Sequence, residues 1–154
     1  MAISIGPTLH PARFFSDLKH RRRESVLAEL SRRARALGVG QEPELLQATL
    51  LLRERLGSTC AGHGIAAPNA RSLLVSSPLV LVGRSRRGIA WSAADPDPVH
   101  LVLLVLSPAE TPVSTHLDLV ARTLAIVRPA RVRQKLLEVE RVEELAGILR
   151  ELVP

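Results

Sequence analysis

Side chains able to hold an anion crowd into one stretch of this chain. The run is Leu56-Gly57-Ser58-Thr59-Cys60-Ala61-Gly62-His63-Gly64-Ile65-Ala66-Ala67-Pro68-Asn69-Ala70-Arg71. Glycine-rich backbone lets N–H groups approach a bound group closely. Hydroxyls and an arginine fork add charge-assisted hydrogen bonds. A neutral imidazole, with a pKa of about 6.5, offers a lone pair at neutral pH. Arg53 and Glu54 come just before the run, and His116 stands further on in Thr115-His116-Leu117-Asp118-Leu119-Val120-Ala121. Each residue also has a plain structural reading when taken alone. The glycines make turns, Arg53 and Glu54 form a helix-end ion pair, and His116 caps a helix.

Taken in register, the run resembles the signature of enzyme IIA domains of the bacterial phosphotransferase system, in the fructose/mannitol/nitrogen-regulatory class. The pattern there reads Leu-Gly-Ser-Thr-Gly-x-Gly-x-Gly-(Val/Ile)-Ala-(Ile/Leu)-Pro-His-(Ala/Gly)-(Arg/Lys). The histidine after the proline is that family's phosphorylated nucleophile, and its place here holds Asn69. The resemblance implies that Ser58, Thr59, Gly62, Gly64 and Arg71 bind phosphate, that Arg53 lies near it, and that Glu54 braces Arg53. It also implies that His116, matching His-Leu-x-Leu-(Leu/Val)-Ala, faces the reactive position. Cys60 takes a place that is usually glycine, where it reads as a small tolerated replacement rather than a reactive thiol. His63 sits in the variable place of Gly-x-Gly, often asparagine in that family, so His63 and Asn69 look exchanged.

An amide forms no phosphoramidate like that of imidazole. The expectation is therefore a regulatory or binding module that lacks the phosphorylatable histidine. Its partner would be a protein (a transporter, a kinase or a phosphocarrier protein of the same system), or a small anion in the retained cradle. One alternative is a working phosphocarrier that uses His63 or His116. In-line transfer argues against it, since a misplacement of about 1 Å can cost about 100-fold. A second alternative is a basic module for nucleic acid or anionic lipid. His100 reads as a strand-end residue, and His10 and His20 as exposed.

No His-x-x-His, Cys-x-x-Cys or Glu-x-x-His spacing signals a metal site. A convergence of Cys60, His63 and His116 is the one weak metal arrangement. Walker, Rossmann and Gly-x-Ser-x-Gly motifs are also missing, so no metal or cofactor is expected. The net charge of +6 is carried almost entirely by arginine, and only two aromatic types occur, at Phe14, Phe15 and Trp91. With so few stacking side chains, nucleic acid is a poor fit. Lys19-His20-Arg21-Arg22-Arg23 is the densest basic cluster and reads as a docking patch for an acidic partner. Two lysines and no tyrosine suggest a GC-rich bacterial genome. The single cysteine fits a reducing cytosol. No signal peptide is expected, and the longest apolar run is far shorter than the ~20 residues of a membrane helix.

The elements that must position these residues follow from periodicity. Ile3 to Leu18, with Pro7 and Pro11, reads as an extended lead-in. Residues 22–37 repeat Val26, Leu27, Leu30, Ala34 and Leu37 at helical spacing, and Gly38 ends the helix. Residues 41–55 form a second helix with Pro43 in its first turn, and Leu45, Leu46, Leu50, Leu52 and Leu56 on its buried side. Residues 58–69 read as a loop, residues 72–75 and 79–82 as strands, and residues 85–88 as a basic turn. A short strand over 89–91, a rigid turn at 95–98 and a doubly covered strand over 99–106 come next. Helices are expected over 113–127, with Leu117, Val120, Ala121, Leu124 and Val127 buried, and over 130–139 and 142–152. The order helices, strands, helices predicts one domain over residues 1–154. Its class is α/β (α+β), a three-layer α/β/α sandwich on a mixed central sheet.

Overall fold

Every residue from Val99 to Leu106 is apolar except His100, and alternate residues serve opposite faces. In a computed structural model of the chain, which describes residue 3 and residues 5–152, Val102, Leu104 and Leu106 join one core and Leu101, Leu103 and Val105 another. The strand is therefore covered on both sides, as a continuous apolar run requires. Its neighbour repeats the alternation, with Leu79 and Leu81 on the first face and Val80 and Val82 on the second.

These two strands, β5 (Leu79–Ile89) and β6 (Val99–Pro108), are the antiparallel centre of a six-stranded sheet. β1 (Phe14–Phe15) pairs parallel with β5. On the other side of β6 lie β3 (Ile65–Ala66) and β4 (Asn69–Ser72), both parallel to it, and β2 (Cys60–Gly62) pairs antiparallel with β3. The sheet is thus mixed.

Helices α2 (Arg23–Ala36) and α3 (Pro43–Leu56) cover one face, burying Val26, Leu27, Leu30, Leu46 and Leu50. Helices α4 (Val113–Val127), α5 (Ala130–Glu138) and α6 (Val142–Leu152) cover the other, through Leu119, Val127, Val132, Leu136 and Leu145. This is the expected α/β/α sandwich.

Several local expectations are corrected. The lead-in is not simply extended: it forms α1 (Ile5–Thr8) and a 3-10 turn (Pro11–Arg13) before β1. The stretch 58–69 is not one loop, because β2 and β3 form a hairpin within it. The strand expected over 72–75 starts earlier, at Asn69, and Val75 lies past its end. The basic stretch 85–88 is no turn but a bulged continuation of β5, which also absorbs Ile89. Helix faces shift as well. In α3, Leu45, Leu52 and Leu56 are exposed. In α4, the buried line is His116, Leu119, Thr123 and Val127, while Leu117 faces outward. Polar His116 and Thr123 can occupy that line because each is hydrogen-bonded, Thr123 to the Leu119 carbonyl at 2.7 Å.

Candidate functional site

β3 and β4 are one strand interrupted at Ala67, whose N–H turns to the Thr59 carbonyl, and at Pro68, which has no N–H to pair. Ile65 lies opposite Leu101 and Asn69 opposite Val105, so the register is unbroken across the gap. Proline has no N–H to give to the ladder. Pro68 contributes only its carbonyl, which accepts from the Val105 N–H at 3.0 Å. The strand therefore restarts at Asn69 in a fixed position, at the foot of a cleft.

Three elements line that cleft, which encloses about 520 Å³. Thr49, Leu52, Arg53 and Leu56 come from the end of α3; Asn69, Ala70 and Arg71 from β4; Val113, His116 and Leu117 from the first turns of α4. The floor is polar and nearly buried, with Asn69 6% and His116 4% exposed. Leu52, Leu56, Val113 and Leu117 form an apolar rim, and Leu56 is 86% exposed.

On the floor the hydrogen bonds form a chain. Asn69 Nδ2 donates to the Ala67 carbonyl at 3.0 Å. Its Oδ1 is left as the acceptor facing His116 Nε2, at 3.0 Å. Nε2 must then carry the proton, and Nδ1 must be the acceptor. The Ser107 hydroxyl, fully buried on β6, completes the chain by donating to Nδ1 at 2.8 Å. Burial lowers the pKa of His116, and the positive charges of Arg71 and Arg53 lower it further. The ring is held neutral, as one tautomer, with both nitrogens occupied.

Two guanidinium groups flank this chain. Arg53 donates to the Gly57 carbonyl at 3.0 Å and Arg71 to the Thr111 carbonyl at 2.9 Å. Each bond uses one N–H of a five-donor fork, so both side chains are steadied with donors to spare. A cleft with two fixed cations and no lining carboxylate can receive an anion.

The other expected site residues are placed elsewhere. Glu54 does not brace Arg53. Its carboxylate accepts from the Thr59 amide at 3.1 Å and from the Thr59 hydroxyl, and Arg23 approaches it at 3.9 Å. Glu54 and Thr59 together lock the start of β2 against the end of α3, so neither lines the cleft. The Ser58 hydroxyl accepts from the Cys60 amide at 3.1 Å, in a local turn. Gly62 and Gly64, at φ 80° and 74°, shape the β2–β3 hairpin, whose tip is His63 and Gly64. The exposed His63 has φ 54°, a left-handed conformation that asparagine tolerates well in such two-residue turns. About 20 Å of extended chain separates it from Asn69. Cys60, His63 and His116 do not converge. Cys60 Sγ instead lies 3.3 Å from Asp95 Oδ2. Burial raises its pKa, and the neighbouring carboxylates of Asp95 and Glu54 raise it further, away from a reactive thiolate. Among the described residues no three His, Cys, Asp or Glu side chains gather as a metal site. Ser107 and the apolar rim were not foreseen. A lone hydroxyl ending an apolar strand was the one available sign of Ser107.

Comparison with known proteins gives a consistent picture. Residues 8–152 match the family model "Phosphoenolpyruvate-dependent sugar phosphotransferase system, EIIA 2". A nitrogen regulatory protein of Bradyrhizobium diazoefficiens is 32% identical over 86% of this chain and 85% of its own length. A fructose-specific EIIABC component of Bacillus subtilis is 28% identical over 86% of this chain, which spans only 21% of that longer protein. Among solved structures, the nitrogen regulatory protein IIA-Ntr of Neisseria meningitidis superposes with a TM-score of 0.81 at 26% identity, covering 94% of this chain and 98% of its own. Mannitol enzyme IIA of Escherichia coli, solved in complex with phosphorylated enzyme IIB, shares the fold at a TM-score of 0.76 and 20% identity, over 93% of this chain and 97% of its own.

Proposed function

The chain belongs to the type 2 EIIA family of the phosphoenolpyruvate-dependent sugar phosphotransferase system, and from that premise we propose that it is a member without a phosphoryl acceptor, which works by binding a protein partner. Asn69 stands where the family motif carries its phosphorylated histidine. The observation that carries this reading is the chain Ala67–Asn69–His116–Ser107. A phosphoryl acceptor needs an open lone pair. Asn69 has only a weakly nucleophilic amide, and His116 has one ring nitrogen protonated and the other hydrogen-bonded to Ser107. The cleft floor is thus permanently set in the form an unphosphorylated site would take.

Binding remains well served. Arg53 and Arg71 offer donors to a carboxylate or phosphate, and the rim of Leu52, Leu56, Val113 and Leu117 offers apolar area around them. Arginine is enriched at protein interfaces and among the residues that carry binding energy, and the exposed apolar side chains beside it add area to bury. The partner classes are a transporter, a kinase or a phosphocarrier protein of the same system. Sugar-specific and nitrogen regulatory relatives are both similar to this chain, and the lack of an acceptor is what favours a regulatory outcome over sugar uptake. The proposed setting is the cytoplasm.

The test is incubation with phosphoenolpyruvate, enzyme I and the histidine phosphocarrier protein, followed by intact mass. The native chain should gain no acid-labile phosphoryl group, and Asn69→His should gain one. A gain by the native chain that disappears on His63→Ala or His116→Ala would overturn the proposal.

A further inference from the structure

The basic run Lys19 to Arg23 acquires neighbours that the sequence separates widely. Phe14 lies opposite Val82 in β1 and β5, and Arg22 bridges to Ala90 in the same parallel register. Between these points Leu18 N–H donates to the Arg84 carbonyl, and Ala90 N–H to the Arg21 carbonyl, both at 2.9 Å. The segment from Ser16 to Arg22 therefore runs along the outer edge of β5, beside its bulge. Exposed Lys19 is brought beside exposed Arg86 and Arg87, and exposed Arg21 and Arg22 follow along the same edge opposite Ala90. Lys19, Arg86 and Arg87 wall a recess of about 330 Å³, with Asp17 its one acidic lining residue. Arg86 reaches Glu140 at only 4.0 Å between two exposed side chains, a pairing that neutralises little.

We infer that this sheet-edge patch is a second docking surface, for a segment of a partner protein rich in aspartate and glutamate. It lies at the end of β5 and β6 where Ile89 pairs with Val99, whereas Asn69 pairs with Val105, about 20 Å along the strand. Even with Asp17 and Glu140 set against its five cations, the patch holds about half of the chain's net charge of +6. The patch has no face on which bases could stack. Trp91 is buried, and Phe15 is partly buried beneath Arg33, 4.7 Å from its ring. Nor has it an apolar wedge for a lipid surface, since Leu18 is buried and the exposed leucines lie on other elements. Arginine forks hold carboxylates bidentately, and with neither a stacking face nor an apolar wedge beside them, the side chains of an acidic peptide segment are the anions that fit this edge.

The test uses the whole chain and a short fluorescent polyglutamate peptide, with anisotropy as the readout. A single-stranded oligonucleotide of matched charge and phosphatidylserine vesicles are the comparison ligands. The peptide should bind more tightly than either. Its affinity should fall about tenfold or more in a variant combining Arg21→Ser, Arg22→Ser, Arg86→Ser and Arg87→Ser, and also when salt is raised to about 0.3 M. Because the cleft also offers donors to carboxylates, the four substitutions are repeated in an Arg53→Ser, Arg71→Ser background, where the peptide should still bind and the same loss should follow, which separates this surface from the cleft. The inference is overturned by absence of peptide binding, by tighter binding of oligonucleotide or vesicle, or by a cleft variant that abolishes binding. It is equally overturned if the neutralised variant binds as before and merely aggregates, because the cations would then serve only to guard a sheet edge.

Discussion

Asn69 directs its amide nitrogen to the Ala67 carbonyl, and that bond leaves only its oxygen for His116. The consequence is a predicted pH dependence. The folded pKa of His116 is depressed, chiefly by burial and then by Arg71 and Arg53. Between the folded pKa and the ordinary value of about 6.5, the unfolded chain binds the extra proton. The stabilising effect is therefore complete above about pH 6.5 and is lost as pH falls through the folded pKa. Urea midpoints measured across that range should drop on acidification, and His116→Gln should flatten the drop. Asn69→Asp should shrink the drop, because a carboxylate beside Nε2 favours the imidazolium and raises the pKa of His116 back toward its ordinary value. An NMR titration of the His116 ring protons in both proteins checks the two directions. Equal pKa values would mean that residue 69 does not govern the ring.

Secondary elements explain why His63 and Asn69 look exchanged in the sequence. His63 is the first of two positive-φ residues at the tip of the β2–β3 hairpin, at φ 54°. Asparagine is favoured there for backbone reasons unrelated to phosphate. His63→Asn should raise stability by about 0.3–1 kcal/mol, read as a higher urea midpoint at constant slope. In an Asn69→His background it should leave phosphoryl acceptance untouched. A loss of acceptance would tie the hairpin tip to the cleft. The same element logic marks what could be read without coordinates. β6 was legible because a doubly covered strand needs no alternation. The match from Leu56 to Arg71 located the β4 side of the cleft because the run is dense and in register. On α4, Val120, Leu124 and Val127 pack on the core as expected, while Leu117 and Ala121 are exposed; periodicity ranks His116 and Thr123 as polar, whereas their hydrogen bonds let them go inside. Glu54, which the resemblance set beside Arg53, accepts from Thr59 instead, since neighbouring residues on a helix point different ways. The hairpin inside residues 58–69 was hidden by its glycines, which mark turns but not the strands between them.

At the scale of the whole molecule, one buried cation joins three parts of the fold. Arg84 lies on β5 and is 2% exposed. Its Nε donates to the Ser16 carbonyl at 3.2 Å, in the segment that follows β1. Its Nη1 donates to the Leu136 and Leu137 carbonyls at 3.0 and 3.3 Å, near the end of α5, and to the Val139 carbonyl beyond it. The guanidinium also sits 5.5 Å from the Phe14 ring centre. A cation at a helix C-terminus is favourable, and carbonyl oxygens otherwise left dry are costly. Arg84→Met keeps the bulk but removes every donor, stranding carbonyls from the N-terminal segment and from α5 at once. The expected loss is about 3–5 kcal/mol of unfolding free energy. Arg84→Lys should recover only part of it, because one compact ammonium cannot span carbonyls on two sides. Urea unfolding followed by circular dichroism measures both variants. The ring signals of His116 should stay unchanged in whatever folded fraction remains, since the Asn69 end of the sheet is held by different bonds. A loss below about 1 kcal/mol would show that water satisfies the carbonyls, and that Arg84 does not clasp the layers together.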